Sequence, residues 1–361
     1  MKRSMIAVMG VVAVMLMTAG AAQADTWNVS PGQSIQAAID GAKSGDTINV
    51  AAGTYAEHLT IRTPNLTLLG EDRATTIINA RQNPLWTVGK TGILLDGVSG
   101  VTVSGFKIVD AALNTNGTPY AGELYGPGPG GLAGIQIYGS SNNTIQNNIL
   151  DNNYWQVWLV AEAAPAGYTA CNNNQILGNV IRNSASDGVY LYSDGTVHIH
   201  DTQIAKNEIS NLTGATTSAV EFWGWDEGGP PTITNTLVEW NDMHDCTYGI
   251  RVRSGVEDIS GLKVNNNNIV DMTSSTAGGF RNYLTVTLDA ECNWWGDATG
   301  PYDNKTLPGI PNYNNPGGLG DAVSSYVDYA SWRTSPIPEP ATLALMALGG
   351  VGMVLRRKRS K

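Results

Sequence analysis

A short template recurs five times between residues 145 and 271 and limits the possible folds more than any other feature of the sequence. Each copy reads aliphatic, two residues, Asn, one residue, aliphatic or Met, one residue, Asn or Asp. The first aliphatic positions are Ile145, Ile176, Ile204, Val238 and Val264, the central ones are Asn148, Asn179, Asn207, Asn241 and Asn267, and the closing ones are Asn152, Asn183, Asn211, Asp245 and Asp271. The copies follow one another after 31, 28, 34 and 26 residues. This irregular spacing excludes helical repeats of fixed length and favours stacked strands joined by variable loops.

A second alternating segment follows each template. These segments cover residues 134–138, 156–160, 188–192, 219–223 and 249–253, and aliphatic or aromatic residues point one way in each. Parallel strands stacked about 4.8 Å apart bury such residues in rows, and Asn suits the corners because it tolerates left-handed backbone angles. The sequence therefore predicts an all-β fold, a single-stranded right-handed parallel β-helix over residues 25–334. We expect eight or nine rungs and a length of about 40 Å.

Both ends of this coil carry segments that fit covers for the open strands. The stretch SIQAAIDGAKSGDTINV has helical spacing of apolar residues after Ser34, a residue type that caps helices, and predicts an N-terminal capping helix. It resembles the N-terminal cap of pectin-lyase-like β-helix proteins. The stretch ECNWWGDATGP resembles a closing motif of exported bacterial β-helix proteins, in which Trp294 and Trp295 would pack rather than bind a ligand.

The N-terminus predicts export. Residues 1–24 combine a basic start, an apolar stretch and the small-residue pattern Ala22-Gln23-Ala24, the three parts of a secretory signal peptide.

The C-terminus predicts sorting. Pro338, Glu339 and Pro340 precede an apolar helix over 341–355 and a basic tail ending at Lys361. The basic residues predict a cytoplasmic end for a helix held in the inner membrane. In this order the parts, over residues 335–361, resemble the PEP-CTERM sorting signal. The resemblance implies a transient anchor that an exosortase cuts, followed by a location at the cell surface or outside the cell.

Charge narrows the classes of partner. The two ends hold seven of the 21 basic residues and none of the 31 acidic ones, so residues 25–340 have a net charge of −17, with 14 basic and 31 acidic residues. Such a chain repels nucleic-acid phosphates, and no nucleic-acid partner is expected. Cys171, Cys246 and Cys292 are odd in number; one disulfide is conceivable, but their spacing favours small buried residues.

The outward residues of the second segments form two columns if the strands stack in register. The first column is Gln136, Trp158, Tyr190, Glu221 and Arg251, and the second column is Tyr138, Val160, Tyr192, Trp223 and Arg253. Aromatic faces stack on sugar rings, and charged groups hold hydroxyls or carboxylates. The columns predict an exposed face that binds an extracellular polysaccharide through Tyr138, Trp158, Tyr190, Tyr192 and Trp223. The alternative is an ion pair of Glu221 with Arg251 and rings covered by loops 111–131 and 223–231.

A carbohydrate-active enzyme, a polysaccharide lyase or glycoside hydrolase, is the other function left open. The catalytic motifs of polygalacturonases and pectin methylesterases are absent from the sequence. A calcium-assisted lyase would use Arg251 or Arg253 as base, with Glu221, Asp226 or Glu227 near the cation. Apart from this calcium, no cofactor is expected. His198, His200 and Asp201 could also hold a metal, but a strand edge or corner in solvent explains them better.

Overall fold

The computed structural model describes residues 23–81, 91–111, 131–162, 167–184, 186–305 and 314–338. Within these residues, nearly all regular structure is β-strand, and the strands form three long parallel sheets and one small one. A single helix, α1 (Ile35–Gly41), is described. The predicted signal peptide and the predicted tail helix lie outside the described residues, as do Glu339 and Pro340.

Sheet 1 has eleven strands among the described residues. In stacking order these are β1 (Thr26–Val29), β2 (Thr47–Val50), β5 (Thr67–Gly70), β8 (Thr102–Ser104), β11 (Thr144–Gln146), β15 (Gln175–Leu177), β19 (Gln203–Ala205), β23 (Leu237–Glu239), β26 (Lys263–Asn265), β29 (Leu288–Asp289) and β30 (Val327–Asp328). At the usual strand spacing, eleven strands span about 48 Å.

Sheets 2 and 3 each have eight strands in the described part of the chain. Sheet 2 contains β3 (Gly53–Tyr55), β6 (Thr76–Asn79), β9 (Lys107–Val109), β12 (Ile149–Asp151), β16 (Val180–Arg182), β20 (Glu208–Leu212), β24 (Asp242–Cys246) and β27 (Asn268–Val270). Sheet 3 contains β4 (Leu59–Ile61), β7 (Ile93–Asp96), β10 (Ala133–Tyr138), β13 (Trp155–Ala161), β17 (Val189–Ser193), β21 (Ser218–Gly224), β25 (Tyr248–Val252) and β28 (Phe280–Asn282). The small sheet holds β14 (Cys171–Asn172), β18 (Ile199–His200) and β22 (Ile233–Thr234). The predicted parallel β-helix is confirmed, with eight turns through all three long sheets.

Each copy of the template supplies two strands and the corner between them. The first aliphatic residues, from Ile145 to Val264, pair in one row of sheet 1 and are fully buried. The second aliphatic residues form the matching buried row of sheet 2, which contains Leu150, Ile181, Ile209, Met243 and Ile269. The interior is therefore made of rows that each rung extends by one residue.

The Asn positions divide into two kinds of corner. The central Asn side chains are buried and form a ladder, in which the backbone N–H and the Nδ2 of each donate bonds of 2.8–3.2 Å to the Oδ1 of the next; Asn267, the last, donates in the same way to Asn293. The closing Asn and Asp residues instead adopt positive φ angles of 54–60°. Corner Asn therefore contributes hydrogen bonds along the stack at one position and left-handed backbone at the other.

The two predicted end covers are present. Ser34 caps α1, because its hydroxyl accepts a hydrogen bond of 3.1 Å from the Ala37 N–H, and Ile35 and Ile39 pack into the core. At the other end Trp295 is fully buried in the same core. All three cysteines are free, and Cys171 and Cys246 are buried.

Candidate functional site

The two predicted columns exist on the outer side of sheet 3. Strand pairing places Trp158 beside Tyr190, Tyr190 beside Glu221 and Glu221 beside Arg251. In the second column Val160 pairs with Tyr192, and Tyr192 pairs with Trp223. The register inferred from the sequence is therefore confirmed.

The predicted exposure is wrong for the N-terminal half of the columns. Trp158 is 6% exposed, Tyr190 is 3% exposed, and Tyr138 is fully buried. Together with Trp155 these residues form what we call the buried aromatic cluster. Trp155 packs against two of the others, since its ring centroid lies 4.3 Å from that of Trp158 and 5.8 Å from that of Tyr190. A sugar on Trp158 or Tyr190 would have to displace this packing.

Tyr168 covers the N-terminal end of the second column. Its ring meets the Tyr138 ring edge-on at 5.1 Å, and its hydroxyl bonds to the buried carboxylate of Asp96. Gly97 and Gly139 leave room for this ring, since a Cβ atom at either position would collide with it. The Tyr138 hydroxyl donates to Glu162 over 3.0 Å, and burial raises the pKa of Tyr138 above its ordinary value. Non-repeating segments thus close this half of the face.

A charged cluster of Asp187, Glu221 and Arg251 lies at the middle of the columns. Glu221 accepts a hydrogen bond of 2.7 Å from Arg251 Nε and a second from its Nη2, while Ser218 Oγ donates to the same carboxylate over 3.1 Å. Asp187 Oδ1 accepts a bond of 2.8 Å from the Ser218 N–H and lies 4.0 Å from Arg251 Nη2. All three charged side chains are buried.

Two carboxylates share one arginine in this cluster. Burial, and then the neighbouring Glu221 charge, raise the pKa of Asp187 well above its ordinary value, although Arg251 acts in the opposite direction. Arg253 adds a longer contact of 3.4 Å to Glu221 from a partly exposed position. The open alternative of an ion pair between Glu221 and Arg251 is therefore what the structure contains, and both carboxylates of the cluster are buried.

Sequence reasoning missed Asp187 as a member of this cluster. It lies 31 residues before Ser218, the same offset that pairs Val189 with Val220 in the next strands. Extending the aligned segments three residues upstream of Tyr190 would have paired Asp187 with Ser218, at an odd offset from Tyr190 and therefore outside the two outward columns. That extension is the signal that the columns, as first drawn, left out.

The C-terminal half of the face is open. Trp225 is 57% exposed and Tyr283 is 47% exposed, while Trp223 and Arg253 are partly buried. We call these four residues the open strip. Arg253 stacks over the Trp223 ring at 4.3 Å, and Trp225 meets the same ring edge-on at 6.4 Å. The pairing of Val252 with Asn282 places Tyr283 beside Arg253 on the next rung. Sequence reasoning missed Trp225 and Tyr283, which lie beyond the five aligned segments.

The candidate metal ligands do not gather into a site. Asp226 and Glu227 are exposed in the turn after β21, where Asp226 accepts a bond of 3.0 Å from the Gly229 N–H. His200 Nδ1 lies 2.5 Å from the Thr234 hydroxyl, and its ring centroid is 5.9 Å from that of His198. Across the described ranges, no three His, Cys, Asp or Glu side chains are placed to share a metal ion. Two carboxylates supply fewer oxygens than calcium takes, and calcium binding stays a prediction.

The sorting residues begin where the described chain ends. Pro338 is exposed, next to the buried Ile337. In the part of the chain that the structure describes, no helix has the length and apolar character of a membrane span.

Three parallel sheets wound into one coil, with a capped core and an outward aromatic face, define the class of parallel β-helix proteins. The family model "Right handed beta helix region" matches residues 68–278, more than half of the chain, and the protein therefore belongs to that family. The PEP-CTERM protein-sorting motif matches residues 336–359. This match implies export and recognition by an exosortase, as the sequence predicts.

The solved structures that resemble this chain are distant in sequence. The chain is similar to an alginate lyase from Paenibacillus sp. strain FPU-7, with a TM-score of 0.48 and 15% identity over 84% of this chain and 99% of that one. It is similar to a lacto-N-biosidase from Eubacterium ramulus, with a TM-score of 0.48 and 11% identity over 74% of this chain and 59% of that one. A pectin methylesterase from carrot gives a TM-score of 0.36 and 12% identity over 72% and 88%. A search among curated proteins gives no match. These similarities concern the fold alone.

Proposed function

We propose that this protein is exported, held briefly in the inner membrane by its tail, and released to the cell surface or extracellular matrix, where it binds a polysaccharide. The sorting motif over residues 336–359 supports the export step. The signal peptide over residues 1–24 and the tail helix over 341–355 are the sequence features that supply the route.

The open strip is the observation that carries the binding proposal. Exposed aromatic rings are uncommon on a solvated sheet. Here Trp225 meets the Trp223 ring, on which Arg253 is stacked, and Tyr283 lies beside Arg253 on the next rung. Successive rungs present one outward residue about every 4.8 Å, close to the rise of one sugar unit. An extended glycan can therefore follow the strip without a deep pocket.

A glycan array with the secreted protein tests the binding proposal. We expect binding to one class of extended polysaccharide, and loss of that binding when Trp225→Ala and Tyr283→Ala are combined. Trp27→Ala is the matched control, because Trp27 is also an exposed tryptophan but lies on β1 at the other end of the coil. Equal losses in the double variant and the control would contradict the proposal.

A second candidate, a polysaccharide lyase or glycoside hydrolase, is favoured by the charged cluster alone. A buried carboxyl with a raised pKa beside a second carboxylate is an arrangement that acid–base catalysis uses. Against it, Glu221 and Asp187 are buried, and both of the hydrogen bonds from Arg251 described above go to Glu221.

Incubation with the tightest binder followed by product analysis separates the two functions. For an enzyme, Arg251→Ala lowers turnover by orders of magnitude with affinity largely kept, whereas a binding protein releases no product at all. Cleaved sugar that is released by the wild type and not by this variant, under conditions where denaturant titration shows the variant to be folded, would replace the binding proposal with the enzyme.

A further inference from the structure

One outward position on sheet 2 is covered although its counterparts are not. Strand pairing aligns Ile149, Val180, Glu208 and Asp242 with Asn268 in one outward column. The first four are partly exposed, whereas Asn268 is only 6% exposed. The residue that covers it comes from 69 positions further along the chain.

Asn268 holds both backbone polar groups of Ile337. Its Nδ2 donates to the Ile337 carbonyl over 2.8 Å, and its Oδ1 accepts from the Ile337 N–H over 2.7 Å. Ile337 is 4% exposed, so this pair of bonds is shielded from water. The side-chain amide makes the two bonds that a neighbouring strand would make.

The sequence around Ile337 prepares it for this contact. Pro336 and Pro338 have no backbone N–H, so Ile337 carries the single donor of this tripeptide. A proline also keeps the residue before it extended, which directs the N–H and carbonyl of Ile337 toward one side. The tripeptide forms one wall of a cleft of about 530 Å³, whose other walls include Asp242, His244 and Trp294.

Ile337, the residue that this clamp holds, lies inside the sorting motif, which matches residues 336–359. Only residues 338–340 separate Ile337 from the predicted start of the tail helix, and three extended residues reach about 10 Å. We propose that Asn268 is a positioning residue for sorting: its clamp on Ile337 fixes the place and direction in which the chain leaves the flank of sheet 2 at Pro338, so that the sorting segment that follows is presented to the sorting enzyme. This inference rests on the sorting step of the proposed function.

Amide hydrogen exchange tests the clamp in the full-length chain, purified in detergent with its tail. Asn268→Ala removes both bonds, and we expect the Ile337 amide to exchange at least tenfold faster while the Ile269 amide and the melting temperature stay unchanged. Asn268→Asp keeps the shape and the acceptor for the Ile337 N–H but loses the donor. In this variant the Ile337 amide should therefore exchange at a rate between those of the wild type and Asn268→Ala. Asp242→Asn, one rung away in the same column and lining the same cleft, is the control and should exchange as the wild type does.

Pulse-chase labelling in cells that contain the sorting enzyme tests the positioning role. We expect the uncut precursor of Asn268→Ala to persist at least three times longer than the wild type, with Asn268→Asp intermediate and Asp242→Asn unchanged. Unchanged exchange at Ile337 in Asn268→Ala would overturn the clamp. If the Ile337 amide exchanges faster in Asn268→Ala but the precursor is cut at the wild-type rate, the contact is structural only and the positioning role is overturned. If the wild-type chain is never cut, sorting and positioning both fall, while exchange still decides the clamp.

Discussion

The two halves of the outward face of sheet 3 carry the same kinds of residue in the same register, but they differ in what lies over them. Across β10, β13 and β17 the rings of Tyr138, Trp158 and Tyr190 are buried and packed against Tyr168 or Trp155. Across β21, β25 and β28 the open strip faces solvent, with Arg253 stacked on Trp223. Outward direction from the coil therefore does not by itself give exposure to solvent.

The difference follows from how a solenoid is built. The core contacts of each rung are limited to its neighbours, so a side chain from a loop, such as Tyr168, covers the few rungs that it reaches and leaves more distant rungs unchanged. The same aromatic residue then stabilises the fold in one half and is available to a ligand in the other. The charged cluster of Asp187, Glu221 and Arg251 marks the boundary between the halves.

Disrupting the charged cluster at the boundary between the halves should have the largest effect on stability. Arg251→Ala leaves the buried Glu221 carboxylate without its main partner, and a charge stranded in this way costs about 3–5 kcal/mol of the free energy of unfolding. Denaturant titration of the purified protein measures it. Arg253→Ala is the control and should cost less than about 1 kcal/mol, because Arg253 is partly exposed. Similar small losses for both variants would show that the cluster is open to water.

Trp158→Ala tests the buried half itself. Removing a buried tryptophan leaves a cavity, and we expect a loss of about 3 kcal/mol in the free energy of unfolding. The value lies at the low end of the range for this change, because Trp158 Nε1 is buried and has no hydrogen-bond partner among the described residues. Tyr283→Ala is the matched variant in the open half and should change stability by less than about 0.5 kcal/mol. Equal losses would remove the distinction between the halves.

The pH dependence of stability is a further test of the charged cluster, and its expected effect is smaller. The pKa of Asp187 is raised in the folded protein, so the folded state keeps a proton that the unfolded state loses above its ordinary pKa of 3.8. The stability from this group is complete at low pH and falls as the pH rises from about 4 toward the raised pKa. Asp187→Asn removes the titration and keeps an acceptor for the Ser218 N–H. We expect the variant to gain stability relative to the wild type as the pH rises; denaturant titrations at pH 4 and pH 8 that give equal differences would contradict this.

The smallest expected effect is on ligand affinity in the open half. Losing one stacked ring costs about 1 kcal/mol, so Trp225→Ala should weaken glycan binding about fivefold. The melting temperature should not change, because Trp225 is mostly exposed. Isothermal titration with the glycan selected on the array measures the affinity. A wild-type affinity in this variant would place the glycan elsewhere.

The repeating part of the structure could be predicted from the sequence. Buried rows such as Ile145 to Val264 follow directly from the template, because a row repeats the same side-chain position on every rung. The α1 cap at Ser34 and the column pairing of Tyr190 with Glu221 follow from equally local patterns.

The parts that could not be predicted depend on contacts outside the repeat. Tyr168 seats on Gly97 and Gly139, which come from two other rungs, and no periodicity in the sequence links these three residues. The clamp of Asn268 on Ile337 joins positions 69 residues apart, through an Asn that the template itself does not specify. Whether an outward residue is buried therefore depends on individual contacts of this kind, which do not repeat from rung to rung.

A structure of the protein with the tightest-binding oligosaccharide tests the central claim most directly. The account predicts sugar rings over Trp223, Trp225 and Tyr283, with Trp158 and Tyr190 still packed as they are in the free protein. Sugar bound over Trp158 and Tyr190, with Trp155 displaced, would contradict it.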